Sequence, residues 1–227
     1  MILYFGTYVF RLTTGQLAIL TFDSLVAATL AAPLAPWFSE RIGKRASSMI
    51  FAVAGVSIGL SPLFLSYLDL FFVPGDRRLV PTLFAIGAIY GAMVAISLIN
   101  TSSMLADVVE DSAVETGRHS AGTFFAASSF MQQCSTALGI AIASIILTMS
   151  SFPVGARPGD VSDATLDSLL IHYIPCSLGL WMVGCLFLLL YPIDKARHVR
   201  NVETLRARQM QAMAAEAQDG AVGAPAR

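Results

Sequence analysis

Charged side chains are absent from four long stretches of this chain, and no other feature restricts its fold as much. No Asp, Glu, Lys or Arg occurs over residues 46–68, 79–106, 119–156 or 168–193, and between Arg11 and Glu40 the single charge is Asp23. A charge at the centre of a bilayer costs about 3 kcal/mol, and a spanning helix takes about 20 apolar residues. The runs therefore predict an all-α membrane protein with five full spans, near 16–38, 46–67, 80–105, 122–149 and 168–191. Residues 1–10 (MILYFGTYVF) are apolar but too short to cross, and no cleavage-type signal follows them. They read as the last turns of a further helix, a partial span over 1–12. Composition agrees: 56% of residues are apolar and 13% charged, against about 25% charged in soluble domains. A soluble enzyme is excluded, and a net charge of −1 supplies no global field to attract nucleic acid.

The connections give an orientation. Arg41, Lys44, Arg45 and Arg118 fall on the same side as Lys195, Arg197, Arg200, Arg206, Arg208 and Arg227, while Arg11, Arg77, Arg78 and Arg157 fall on the other. The excess of basic residues predicts that the first side, including the C-terminus, is cytoplasmic. Residues 194–227 form a polar tail, with a helix expected over 194–214 and disorder over the last dozen residues.

Polar groups inside the spans are the candidate functional residues. Asp23 is the one acidic side chain within a predicted span. It is either a protonatable or cation-coordinating group facing a cavity, or a residue near enough to the interface to stay hydrated. Asp107, Glu110 and Asp111 are spaced i, i+3, i+4 and share a helix face if the helix continues, followed by Glu115 and Thr116-Gly117-Arg118-His119. These charges read either as a network closing the cytoplasmic mouth or as a hydrated helix end. Ser129, Gln132, Gln133 and Ser135 offer solute contacts or interhelical hydrogen bonds. The pairs Gly55/Gly59 and Gly87/Gly91 fit close helix packing, and Pro33, Pro36, Pro62 and Pro175 fit helices that bend. Cys134, Cys176 and Cys185 are expected to be buried small hydrophobes. His119 and His172 are isolated, and no metal-ligand cluster, phosphate loop or nucleophile motif occurs, so enzyme chemistry and ATP-driven transport are not expected.

Three motifs carry a family resemblance. The first is Glu40-Arg41-Ile42-Gly43-Lys44-Arg45. The second, longer and more specific, is Ser103-Met104-Leu105-Ala106-Asp107-Val108-Val109-Glu110 followed by Thr116-Gly117-Arg118 and Gly122. The third is Tyr191-Pro192-Ile193-Asp194. With these, residues 2–208 resemble the C-terminal half of a glycoside–pentoside–hexuronide:cation symporter, the melibiose-carrier-like branch of the major facilitator superfamily.

The resemblance implies a six-helix half-bundle that transports a sugar or glycoside with sodium or a proton by alternating access. No other cofactor is expected. It implies a bacterial inner-membrane protein whose partners are the small-molecule substrate, the bilayer, and an N-terminal half or a separate partner half-bundle. Asp107, Glu110, Asp111 and Arg118 then form the cytoplasmic closure network, with Arg41, Gly43, Lys44, Arg45, Thr116 and Gly117 as its loop motifs. Asp23, Ser129 and Gln133 become candidates for lining the substrate or cation path. Two positions depart from the family pattern: His119 stands where an arginine is common, and Gln133 replaces a lysine near the sugar and cation site, which leaves the coupling ion open. The alternatives are a truncated, non-transporting membrane fragment and a proton-coupled exporter of another major facilitator branch. Alone, such a half exposes the polar faces of its spans, so low stability without dimerisation is expected.

Overall fold

The computed structural model describes residues 4–118, 120–153, 155–157, 159–191, 200–207, 210–211 and 213. All regular elements among them are helical. A π-helical turn, Phe5–Val9, precedes α1 (Thr14–Leu20), α2 (Asp23–Ile42), α3 (Lys44–Tyr67), α4 (Leu79–Thr116), α5 (Ala121–Met149) and α6 (Asp163–Leu189). With α1 and α2 taken as one span, Thr14–Ile42, five helical segments are long and apolar enough to cross a membrane. Helices are the solution here because each closes its backbone hydrogen bonds within itself, which hydrocarbon requires.

Helix starts follow local chemistry. Thr13 caps α1: its Oγ1 accepts from the Gln16 backbone N–H at 3.3 Å, and Gln16 Oε1 accepts from the Thr13 N–H at 2.9 Å, a reciprocal box. Ser162 caps α6 by accepting from Thr165 N at 3.3 Å. Between α2 and α3 the chain turns at Gly43 alone, with φ +85° and ψ 152°, a region open essentially to glycine. Pro33, Pro36, Pro62 and Pro175 lie inside helices that continue past them.

The chain forms two compact units. In the first, residues 1–101 and 131–191, the apolar core joins Phe5, Phe10, Leu12, Leu63, Leu79, Ile146, Leu169 and Leu170. The N-terminal π-helical turn is anchored here, with the Phe5 and Tyr173 rings 4.7 Å apart. A smaller cluster sets Ala31 and Ala35 of α2 against Ile96 of α4.

Small residues bring these helices close. A Cβ on Gly91 would stand 2.8 Å from the Ala27 Cβ, and one on Gly59 would stand 2.5 Å from the Tyr90 ring. The two glycine pairs therefore serve helix packing, Gly87/Gly91 on α4 against α2 and Gly55/Gly59 on α3 against α4.

The second unit covers residues 102–130 and 192–227. Here α4 continues through the acidic motif to Thr116. Residues 200–207 are helical. The expectation of disorder over the last dozen residues, the Pro192-Ile193-Asp194 part of the third motif, and His119 lie outside the described residues.

One expectation about the core is corrected. Cys185 is buried and Cys176 partly so, but Cys134 is exposed. It lies on α5, whose residues 125–141 are all exposed, because no other element among the described residues covers that stretch.

Candidate functional site

The span Thr14–Ile42 is interrupted at Thr21–Phe22, and Asp23 opens its second half. Local side chains repair the break. Thr21 Oγ1 donates to the Ala18 carbonyl at 2.6 Å, and Ser24 Oγ donates to the Thr21 carbonyl at 2.8 Å. These hydroxyls supply bonds that hydrocarbon cannot. The half-buried Asp23 carboxylate faces Gly87 of α4, where a Cβ would clash with its Oδ2. An acidic group therefore sits at a helix discontinuity, and a glycine on the facing helix makes room for it. The favourable position for a carboxylate is the positive end of the helix that it opens.

Further along α4, against α3, lies a buried polar seam that sequence reading missed. Ser48 Oγ is 3.1 Å from the Ser97 carbonyl, 3.0 Å from Ser97 Oγ and 3.0 Å from Thr101 Oγ1. Asn100 Nδ2 donates to Ser47 Oγ at 2.8 Å. Ser47 and Ser48 are fully buried. Their isolated Ser-Ser signal in the sequence gave no partner, since the residues that complete it are about fifty positions away.

The loop motif follows α2 closely. The Arg41 guanidinium stacks 3.8 Å from the centre of the Trp37 ring, and Arg45 Nη1 donates to the Tyr191 carbonyl at 3.4 Å. Gly43 is the hinge, and Lys44 is the first residue of α3.

Within the second unit, Asp107 is buried. Asp111 Oδ1 accepts from Asn201 Nδ2 at 2.7 Å, so the helical part of the tail is joined to the acidic motif. Asp107, Glu110 and Asp111 lie on one helix, as the spacing predicts. Arg118 is exposed, and its contact with the motif is through the backbone: its N–H donates to Thr116 Oγ1 at 3.3 Å, while Thr116 Oγ1 donates to the Ser112 carbonyl at 2.7 Å. Gly117 follows with φ +70°, ending the helix. Asn201 was not singled out in the sequence, where a lone Asn in a polar tail carries no signal.

Ser129 and Gln133 sit one turn apart on α5, and both are exposed. Ser135 and Thr136 donate to the carbonyls one turn back, Met131 and Gln132. A cleft of about 180 Å³ lies among Tyr4, Tyr8, Leu147, Thr148, Phe152, Pro153 and Gly155, below the roughly 300 Å³ of a typical ligand pocket. Among the described residues, no cluster of His, Cys, Asp or Glu has metal-binding geometry.

The helices define a multi-span membrane protein, with the Asp23 carboxylate at a break in one candidate span. The chain belongs to the MFS/sugar transport protein family, whose model matches residues 1–195. This is a family of transporters and not of enzymes. The chain is 27% identical over 186 residues to the chicken sodium-dependent lysophosphatidylcholine symporter 1, covering 80% of this chain and 32% of that protein. Its mouse counterpart is 27% identical over 199 residues, 86% of this chain and 34% of that protein. An uncharacterized symporter of Synechocystis is 30% identical over 140 residues, 60% of this chain and 25% of that protein. The chain thus spans about a quarter to a third of the length of these relatives. No solved structure matches it.

Proposed function

We propose that this chain supplies the C-terminal half of a cation-coupled symporter that works by alternating access in a bacterial inner membrane, with its C-terminus in the cytoplasm. The observation that carries this reading is Asp23, a carboxylate at a helix break inside a span, in a chain whose family is one of transporters. Broken spans with polar groups at the break are how secondary transporters build midplane ion and solute sites. Asp23 with Ser129 and Gln133 is assigned to the substrate or cation path. Asp107, Glu110, Asp111 and Arg118, with the loop residues Arg41, Gly43, Lys44, Arg45, Thr116 and Gly117, are assigned to closure of the cytoplasmic side.

The exposed Ser129, Gln132 and Gln133 of α5 support a second half-bundle as the partner. A polar helix face is expensive against lipid and is relieved by a facing bundle.

The substrate assigned is a sugar or glycoside, which agrees with the family description. A second reading is an amphipathic lysophospholipid, favoured by the names of the vertebrate relatives. The coupling ion is sodium or a proton.

The test is uptake into proteoliposomes holding this chain together with its second half-bundle. Labelled glycosides and lysophosphatidylcholine are offered under an imposed sodium or proton gradient. Gradient-driven glycoside uptake is expected. Uptake of the lysophospholipid alone transfers the assignment to the second reading. Background uptake of both, with the halves shown to be associated, defeats the transport reading and leaves a non-transporting bundle.

A further inference from the structure

The end of α2 carries a surface that the transport reading does not use. Trp37 is 44% exposed, Leu34 one turn before it is 38% exposed, and Ile42 at the end of the helix is 44% exposed. An exposed indole among exposed aliphatic side chains, one turn from the end of a spanning helix, is placed where the headgroups of a bilayer meet its hydrocarbon. Arg41, one turn further on the same face, lays its guanidinium over the indole at 3.8 Å. Stacking uses the face of the guanidinium and leaves its N–H edge directed outward. Among the described residues no carboxylate pairs with it. Arg45, just across the Gly43 turn, is exposed and spends one N–H on the Tyr191 carbonyl. Over residues 37–50, Glu40 is the single acidic residue against Arg41, Lys44 and Arg45, so the loop is net positive at headgroup depth.

We propose that Trp37, Arg41 and Arg45 form a headgroup site for an anionic phospholipid of the leaflet that meets this end of the helices. The phosphodiester accepts from the edges of the two guanidinium groups, a geometry that suits arginine better than lysine. Lys44 adds to the local positive potential, and Trp37 and Leu34 pack against the upper acyl chain. Each cation near an anionic surface contributes about fivefold in affinity, so the site should prefer phosphatidylglycerol to phosphatidylcholine by several-fold. The inference does not depend on which solute is carried.

Trp37 is also the reporter. The chain has two tryptophans, Trp37 and Trp181, so W181F leaves Trp37 as the only indole. The full chain carrying W181F is placed in phosphatidylcholine bilayers. It is then titrated with phosphatidylglycerol or phosphatidylcholine brominated at acyl carbons 6 and 7. Stronger quenching by the brominated phosphatidylglycerol is expected, with the preference shrinking at high salt. R41Q combined with R45Q should abolish the preference while quenching by brominated phosphatidylcholine stays the same, which shows that Trp37 is still at the interface. R41K should keep part of it. Equal quenching by the two lipids in the unsubstituted loop overturns the proposal, as does a preference that survives R41Q/R45Q. Loss of the preference on adding inorganic phosphate at constant ionic strength assigns the arginines to a soluble anion and overturns it too.

Discussion

The Oδ2 atom of Asp23 stands so close to Gly87 that the first side-chain carbon of any other residue there would clash with it. Two features that look unrelated in the sequence, a charge inside a span and one member of a glycine pair, are thus one arrangement. The carboxylate can lie in the seam between α2 and α4 because the facing residue has no side chain.

Gly87→Ala should therefore destabilise the bundle by about 1–3 kcal/mol through overpacking. Gly139→Ala is the control. Nothing lies within 4 Å of a Cβ at Gly139, so that substitution should be neutral or stabilising, by up to about 1 kcal/mol from helix propensity. Thermal unfolding in detergent reads both. Equal effects from the two would mean that the seam is loose enough to accept a methyl group.

Asp23→Asn keeps the shape and removes the charge. With the second half-bundle present, it should leave folding intact and abolish the cation dependence of uptake. Uptake that still follows the sodium or proton gradient would remove Asp23 from the cation path and leave it a packing residue.

The Ser48 hydroxyl meets three polar atoms of α4 at 3.0–3.1 Å. Ser48→Ala should cost about 0.5–1.5 kcal/mol. Ser135→Ala, which removes an exposed hydroxyl bonded only to its own helix, should stay within about 0.5 kcal/mol. Melting midpoints of the two variants, compared side by side, check the difference.

The 2.7 Å bond from Asn201 to Asp111 should hold the tail helix on the acidic motif. Asn201→Ala should raise amide exchange over residues 200–207 and speed tryptic cleavage after Arg206 several-fold. Asp111→Asn keeps an acceptor oxygen at the same place and should raise both by less. If the charge rather than the hydrogen bond holds the tail, the order of the two variants reverses.

Cys134 should react with a membrane-permeant maleimide ahead of Cys176, and Cys185 should react last, following their exposure. Addition of a second half-bundle should slow Cys134 if that bundle covers α5. Unchanged labelling in an assembled pair would move the partner to another face.

The helices were legible in the sequence because their cause is local. A chain in hydrocarbon must close every backbone hydrogen bond within its own segment, so an uncharged run such as 168–193 announces α6 by itself. The capping box at Thr13 and the turn at Gly43 are likewise written in a few adjacent residues. Where the sequence reading fell short, the cause was non-local. It expected Cys134 to be buried because Cys134 lies in an apolar run, yet apolarity does not say whether a neighbour covers the residue.

The sequence by itself determined that this protein is a set of membrane-crossing helices, which charges lie between them, and which motifs tie it to a family of transporters. Only the tertiary structure decided that Asp23 shares its space with Gly87, that Ser47 and Ser48 find Asn100, Ser97 and Thr101, and that Asn201 reaches Asp111. Hydropathy and helix periodicity are properties of single segments. The meeting of two helix faces depends on side-chain volumes and hydrogen-bond geometry across residues about fifty to ninety positions apart, and no local pattern encodes that pairing.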